Sequence, residues 1–392
     1  MFRFGLLTTI SVAASLLMIG VGMIVALLPQ RILDLSGSLQ DVGYLASVFA
    51  FSYLLVQLPV GTLSDRFGIK PFLVFGYLLC TVSGVVFSFS QTPTSIYLGR
   101  LIQGAGEAPI WALGPAVLSL AYPHSKGKVI GIYNAAIHIG LSIGPLLGVI
   151  FVAQWSKNAP FWVFTVLCFM GAFIIAMSLP GIQKKGPVLD VQAPTLKDLV
   201  KILKQRGPLL TLVGILLYGA GYGIFISVLP ATLIQGKEFD QSLIGWFFTL
   251  FYIAISVSQL VVGPLSDKHG RKMYMISGLL MVAFGFASFD AMPGVWTYVP
   301  LGLASLGLGF FCVSSLAYLN ECVPSSLRGS ISGCYYLFWG GGYFLGPLFI
   351  GGLSTGAQSI VGYYLLALMA AGLAGVLWIF GAADDLALSA SE

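Results

Sequence analysis

Charge is what this chain has least of. Only 8% of its 392 residues are Asp, Glu, Lys or Arg, and 57% are hydrophobic; soluble domains carry about 25% charged residues. With a mean hydropathy of +0.94, such a chain does not stay in water. Histidine is almost missing, with only His124, His138 and His269. There is no His-Glu-x-x-His pair and no histidine to serve a serine elbow, so neither an enzyme nor a metal centre is expected. Five cysteines, Cys80, Cys168, Cys312, Cys322 and Cys334, form no Cys-x-x-Cys pair. In apolar runs a free thiol acts as a small apolar group. The formal charge of +5 is spread over loops and gathered on no soluble face, which leaves no place for a nucleic-acid partner.

Long apolar runs fill the space that charge leaves. About 20 such residues cross a bilayer as a helix. Twelve runs qualify, near 6–28, 42–63, 71–90, 97–122, 129–153, 160–180, 209–235, 242–265, 273–292, 296–321, 330–353 and 359–381. They are too long and too evenly apolar for barrel strands. The expected fold class is an all-α membrane protein of twelve transmembrane helices, with the lipid bilayer as its surroundings. Arg3 is a lone positive charge before a run longer than a signal core, so that run reads as the first membrane helix. Most of the Lys and Arg fall on one side of the membrane; Arg31, Lys157 and Lys237 fall on the other, and Arg100 lies within a helix. The positive-inside rule then places both termini and the central loop in the cytoplasm.

The chain is also doubled. Gly61-Thr-Leu-Ser-Asp65-Arg66-Phe-Gly68 returns as Gly263-Pro-Leu-Ser-Asp267-Lys268-His-Gly270, 202 positions on. Gly43 and Gly245, Gln57 and Gln259, Gly131 and Gly333, and Gly144-Pro145 and Gly346-Pro347 share that offset. One phase held over this distance means two fused copies. The expected domains are a six-helix bundle over 1–181, a cytoplasmic linker over 182–208 and a second bundle over 209–392. Within the linker, Thr195 to Lys204 suits either a basic amphipathic helix on the inner leaflet or a solvated connection.

Two six-helix halves, each with Gly-x-Leu-x-Asp-x-x-Gly between its second and third helices, resemble the major facilitator superfamily over nearly the whole chain. The resemblance implies transport by alternating access, with this loop latching the cytoplasmic gate. Gly61, Asp65, Arg66, Gly68, Gly263, Asp267, Gly270 and Arg271 are the gating residues it implies. Glu321, at the end of the tenth helix, is placed to pair with Arg271. The first half has no acid at the matching end of its fourth helix, so an asymmetric latch is expected.

Arg100-Leu-Ile-Gln103-Gly104-Ala-Gly106-Glu107 resembles the family's fourth-helix motif. Positions 100, 103 and 107 share one helical face, and ionisable groups at membrane depth normally meet a cavity or a partner. Burial favours the neutral form of Glu107, and a nearby guanidinium favours the carboxylate. That opposition suits a proton carrier tuned by Arg100, or else a permanent Arg100–Glu107 pair. The Gly104 to Ala108 stretch also resembles Spinster-type lipid transporters. His138, near the middle of the fifth helix with Asn134 one turn before it, is a candidate proton relay or a hydrogen-bonded packing residue. Gly140, Gly144, Pro145 and Gly148 match the fifth-helix pattern of the family's antiporters, although the repeat at Gly346-Pro347 equally suits a structural hinge. Gln103, Trp111, Asn134, Tyr218, Tyr222, Tyr336 and Trp339 are the expected substrate-cavity residues.

The resulting expectation is a monomeric bacterial inner-membrane transporter that exports a small amphipathic or drug-like compound. It is expected to use protons as coupling ion and no cofactor. An organic anion held by Arg100, or a lysolipid, is the alternative cargo.

Overall fold

A computed structural model describes residues 5–122, 126–179, 204–323, 328–353 and 360–389. Residues 182–203 of the expected linker lie outside these, as do the side chain of Asp65 and the surroundings of Gly61. Thirteen α-helices run through the described residues, and no strand is found among them. They are α1 (Leu6–Ser36), α2 (Leu39–Phe67), α3 (Ile69–Phe89), α4 (Pro93–Ala121), α5 (Lys126–Gln154), α6 (Ala159–Ser178) and α7 (Arg206–Ile226). The chain continues with α8 (Val228–Lys237), α9 (Gln241–His269), α10 (Arg271–Ser288), α11 (Tyr298–Glu321), α12 (Arg328–Leu353) and α13 (Val361–Ser389). Nine candidate spans among the described residues are long and apolar enough to cross a membrane. α4 is not one of them, and it is the helix that carries Arg100, Gln103 and Glu107.

One helix was expected over 209–235, and the structure has two. Pro230 has no N–H for the Ile226 carbonyl and crowds it, and Ser227 leaves helical geometry at φ −132° and ψ −80°. Here the two copies run at an offset of 201, Leu28-Pro29 answering to Leu229-Pro230, so Pro29 is the matching proline in α1, yet α1 stays continuous. There the residue matching Ser227 is Ala26, a better helix former.

The described residues form two compact units. In the first, α1 packs on α5 and α6, α3 on α4 and α6, and α2 on α4. Residues Ile226–Tyr252, assigned by the repeat to the second half, group with this first unit, where α8 lies against α1 and α2. In the second unit α10 packs on α11 and α13.

Glycines set the close crossings. A Cβ at Gly144 would strike the Ile19 carbonyl of α1, and one at Gly22 would meet Pro145 and Gly144. In the second unit the same contacts recur: Gly346 lies on Ala220 of α7, and Gly223 faces Tyr343 and Pro347. The fifth-helix motif is therefore a packing seam, present in both copies. Gly140 and Gly148 extend it along α1, against Ser15 and Met23.

Candidate functional site

α4 is held between two neighbours by its Gly-x-Gly stretch. A Cβ at Gly104 would run into the Phe49 carbonyl and Ser52 of α2, and one at Gly106 would meet the Gly76 carbonyl and Cys80 of α3. Positions 104 and 106 lie on opposing sides of a helix, so the two glycines let α4 press on both helices at once. That approach brings α2 backbone and rings to the polar face of α4.

On that face four side chains form one continuous chain. Arg100 Nε donates to the Leu45 carbonyl at 3.0 Å and Nη1 donates to Gln103 Oε1 at 2.9 Å. Gln103 Nε2 donates to Glu107 Oε1 at 2.8 Å, and Trp111 Nε1 donates to Glu107 Oε2 at 3.1 Å. The guanidinium also lies over the Phe49 ring, 4.5 Å from its centroid, where the ring quadrupole favours a cation. Arg100 and Glu107 are each 3% exposed and Gln103 is fully buried, whereas Trp111 is half-buried.

The two charges do not touch. Gln103 stands between them with its carbonyl toward the cation and its amide hydrogens toward the anion, the one orientation that satisfies both. A buried charge is tolerated only with such partners, because each ion left unpaired costs several kcal/mol. The direct Arg100–Glu107 pair considered from sequence is thus replaced by a bridged one. Leu45 and Phe49 were missed in the sequence, because a backbone carbonyl and an apolar ring carry no signal there.

The remaining expected relay and cavity residues of the first unit lie on α5. Asn134 is exposed on α5, and His138 is half-buried there, its carbonyl accepting from Ser142 Oγ at 2.8 Å. In the second unit Tyr222 meets Tyr218, Trp339 and Tyr343 with ring centroids 6.2, 5.9 and 6.1 Å away. Tyr343, not singled out before, lies one turn beyond Trp339, at 5.2 Å. Tyr336 stands outside that cluster, 41% exposed and edge-on to Tyr335. Tyr335 OH lies 3.4 Å from Cys312 Sγ.

The two loops share their backbone and the charges at Asp65 and Asp267, Arg66 and Lys268, and Lys70 and Lys272, and they differ in the residue after the second glycine. Gly68 and Gly270 have φ of 84° and 87°, a conformation that costs any residue with a Cβ. After Gly270, Arg271 pairs with Asp267 and with Glu321 Oε1, 2.9 Å from Nη2, and donates to Ser266 Oγ at 2.6 Å. Burial works against its charge, but the Glu321 and Asp267 carboxylates hold its pKa above the ordinary range. The residue matching Arg271 in the first loop is Ile69, 2% exposed. Arg66 instead lies over the Phe67 ring at 5.3 Å.

A family profile described as Major Facilitator Superfamily matches residues 10–240 and again 211–390. The tetracycline resistance protein, class C, of Escherichia coli is 24% identical over 380 residues, covering 93% of this chain and 90% of its own length. The quinolone resistance protein NorA of Staphylococcus aureus (strain MRSA252) is 25% identical over 354 residues, 86% of this chain and 87% of its own. A solved structure of a bacterial homologue of the human lysosomal transporter Spinster superposes with a TM-score of 0.80 at 16% identity, covering 95% of this chain and 96% of that one. At that identity the likeness speaks to fold alone.

Proposed function

The chain belongs to the major facilitator superfamily, and from that premise we propose that it is a proton-coupled exporter of small amphipathic, drug-like compounds. It is a multi-pass membrane transporter and not an enzyme. Twelve spans in two six-helix halves, with both termini in the cytoplasm of an inner membrane, are part of the proposal, as is function as a monomer by alternating access. In this reading Glu107 carries the proton, and Arg100 with Gln103 tunes it. His138 and Asn134 contribute to proton relay and cavity, together with Trp111, Tyr218, Tyr222, Tyr336 and Trp339. Asp65, Arg66, Asp267, Arg271 and Glu321 work the gate.

The observation that carries this reading is the buried chain on α4, an acid 3% exposed and held by two neutral donors. In a direct ion pair, protonation of the acid would leave the buried cation unpaired, whereas Gln103 and Trp111 are uncharged donors from which the oxygens of a carboxylic acid can still accept. Drug-resistance proteins among the relatives support the export direction and the drug-like cargo. The organic-anion alternative has less support, because Arg100 is 3% exposed and already engaged with Leu45, Gln103 and Phe49.

The test uses purified protein in liposomes, challenged with lipophilic cations, organic anions and lysolipids while proton movement is followed. Proton release on addition of a lipophilic cation, lost in Glu107→Gln, is the expected result. A response to anions or lysolipids alone would redirect the reading to the alternative cargo.

A further inference from the structure

Trp111 is the one member of the α4 chain with surface to offer. Arg100, Gln103 and Glu107 are almost wholly buried, while Trp111 is half-buried and its indole N–H ends the chain on Glu107 Oε2. We propose that Trp111 is the positioning residue through which substrate and proton sense each other, with an aromatic-faced or lipophilic-cationic substrate docking on its indole ring. This rests on the reading of Glu107 as proton carrier.

The physical basis is that a hydrogen bond to an ionised acceptor is roughly twice as strong as one to a neutral acceptor. The indole N–H therefore grips the carboxylate more firmly than the carboxylic acid. A flat apolar or cationic face that stacks on the ring holds the indole in its donating position and so favours the carboxylate. The proton then leaves Glu107 for water. Conversely, protonation of Glu107 weakens the indole's hold and frees the ring to move, which loosens the substrate. Linkage makes the two effects equal in size. The substrate need not carry a charge or touch the carboxylate, so one device serves chemically varied cargo.

No other charge on the packed helices competes with this. Around Glu107, α3 brings Tyr77 and Cys80, α6 brings Cys168, and Tyr133 of α5 stands beside Tyr77. Tyr53 lies one turn beyond Phe49 on α2, and α1 has no titratable residue between its first turn and Arg31. Tyrosine and cysteine are neutral at ordinary pH, and α5, which packs on α4, adds His138 as a titratable residue; among the described residues Arg100 is the one charged group that acts on Glu107.

The experiment measures protons released per molecule of tetraphenylphosphonium bound, using purified full-length protein in weakly buffered detergent solution with a pH dye. The ratio does not depend on how tightly each variant binds. Wild type is expected to release about half a proton per probe at the pH of greatest release, with apparent Kd rising on acidification by less than about tenfold per pH unit. Trp111→Phe keeps a ring and removes the N–H, and its ratio is expected to fall below about a third of wild type. A Trp111→Phe ratio equal to wild type, with Glu107→Gln releasing nothing, overturns the role of Trp111 and leaves Glu107 standing. Equal release from wild type and Glu107→Gln removes the proton-carrier reading, and this inference with it. If Trp111→Phe does not accumulate, wild type carrying ¹⁵N-labelled indoles answers the same question. One of the seven tryptophan N–H resonances should move both with pH and with the probe, and stop moving with pH in Glu107→Gln. The absence of any such resonance overturns the proposal.

Discussion

Gln103 carries no charge, yet it decides how two buried charges coexist. Its amide accepts from Arg100 and donates to Glu107 with no exposed surface of its own. Gln103→Leu preserves approximate volume and removes both bonds, leaving a guanidinium hydrogen and a carboxylate oxygen facing each other across an apolar gap. The expected loss is about 3–5 kcal/mol, the range for breaking a buried ionic network, read as a lowered unfolding midpoint in detergent. A Gln103→Leu protein as stable as wild type would show that the bridge is dispensable. The shared face of residues 100, 103 and 107 was legible in the sequence from helical spacing. Their order of contact was not. Residues seven apart are separated by about 10 Å along the axis, a gap that Arg and Glu side chains can close directly or leave to a third group. Phe49 and the Leu45 carbonyl, brought in by α2, draw the guanidinium toward α2.

At the scale of elements, glycine decides which helices can cross closely. Gly144→Ala and Gly346→Ala place a methyl group on opposing backbone, Ile19 and Gly22 in one unit and Ala220 in the other. Both should lower the unfolding midpoint and the amount reaching the membrane. Gly131→Ala and Gly333→Ala meet nothing within 4 Å and should be neutral, or stabilising by up to about 1 kcal/mol from helix propensity. Equal behaviour of the two pairs would refute the seam. The sequence showed the small residues spaced by four and their repetition, and left open whether they marked direction of transport or packing. The structure sets these glycines against α1 and α7. The break between α7 and α8 was hidden because Pro29 and Pro230 look alike in the repeat. Beside the proline, Ser227 stands where the first copy has Ala26, a better helix former.

At the scale of the whole molecule, the repeat describes ancestry and the compact units describe packing. They part at Ile226–Tyr252, which belongs to the second copy by sequence and to the first unit by contact. Thr249 Oγ1 donates to the Ser142 carbonyl at 3.0 Å there, and Gly245 lies against Val149. The charge asymmetry of the two loops is also a property of the assembled chain, with Arg271 tied to Asp267 and Glu321 where the first copy buries Ile69. Orientation is open to direct measurement. In a cysteine-free background, a cysteine at Lys237 should react with a membrane-impermeant maleimide in intact cells, and one at Lys272 only after permeabilisation. The opposite pattern would invert the proposed topology.

Composition and period alone determined the class of this protein, because the bilayer demands long apolar helices and a duplicated gene leaves its phase in the glycines, prolines and aspartates. Those are one-dimensional facts, and one dimension holds them. The bridged α4 chain, with Trp111 as its surface member, was decided only by tertiary structure. It depends on how near Gly104 and Gly106 let α2 and α3 approach, and on groups such as a carbonyl and a phenyl ring whose electrostatic meaning exists only once a neighbouring helix brings them within a few ångströms.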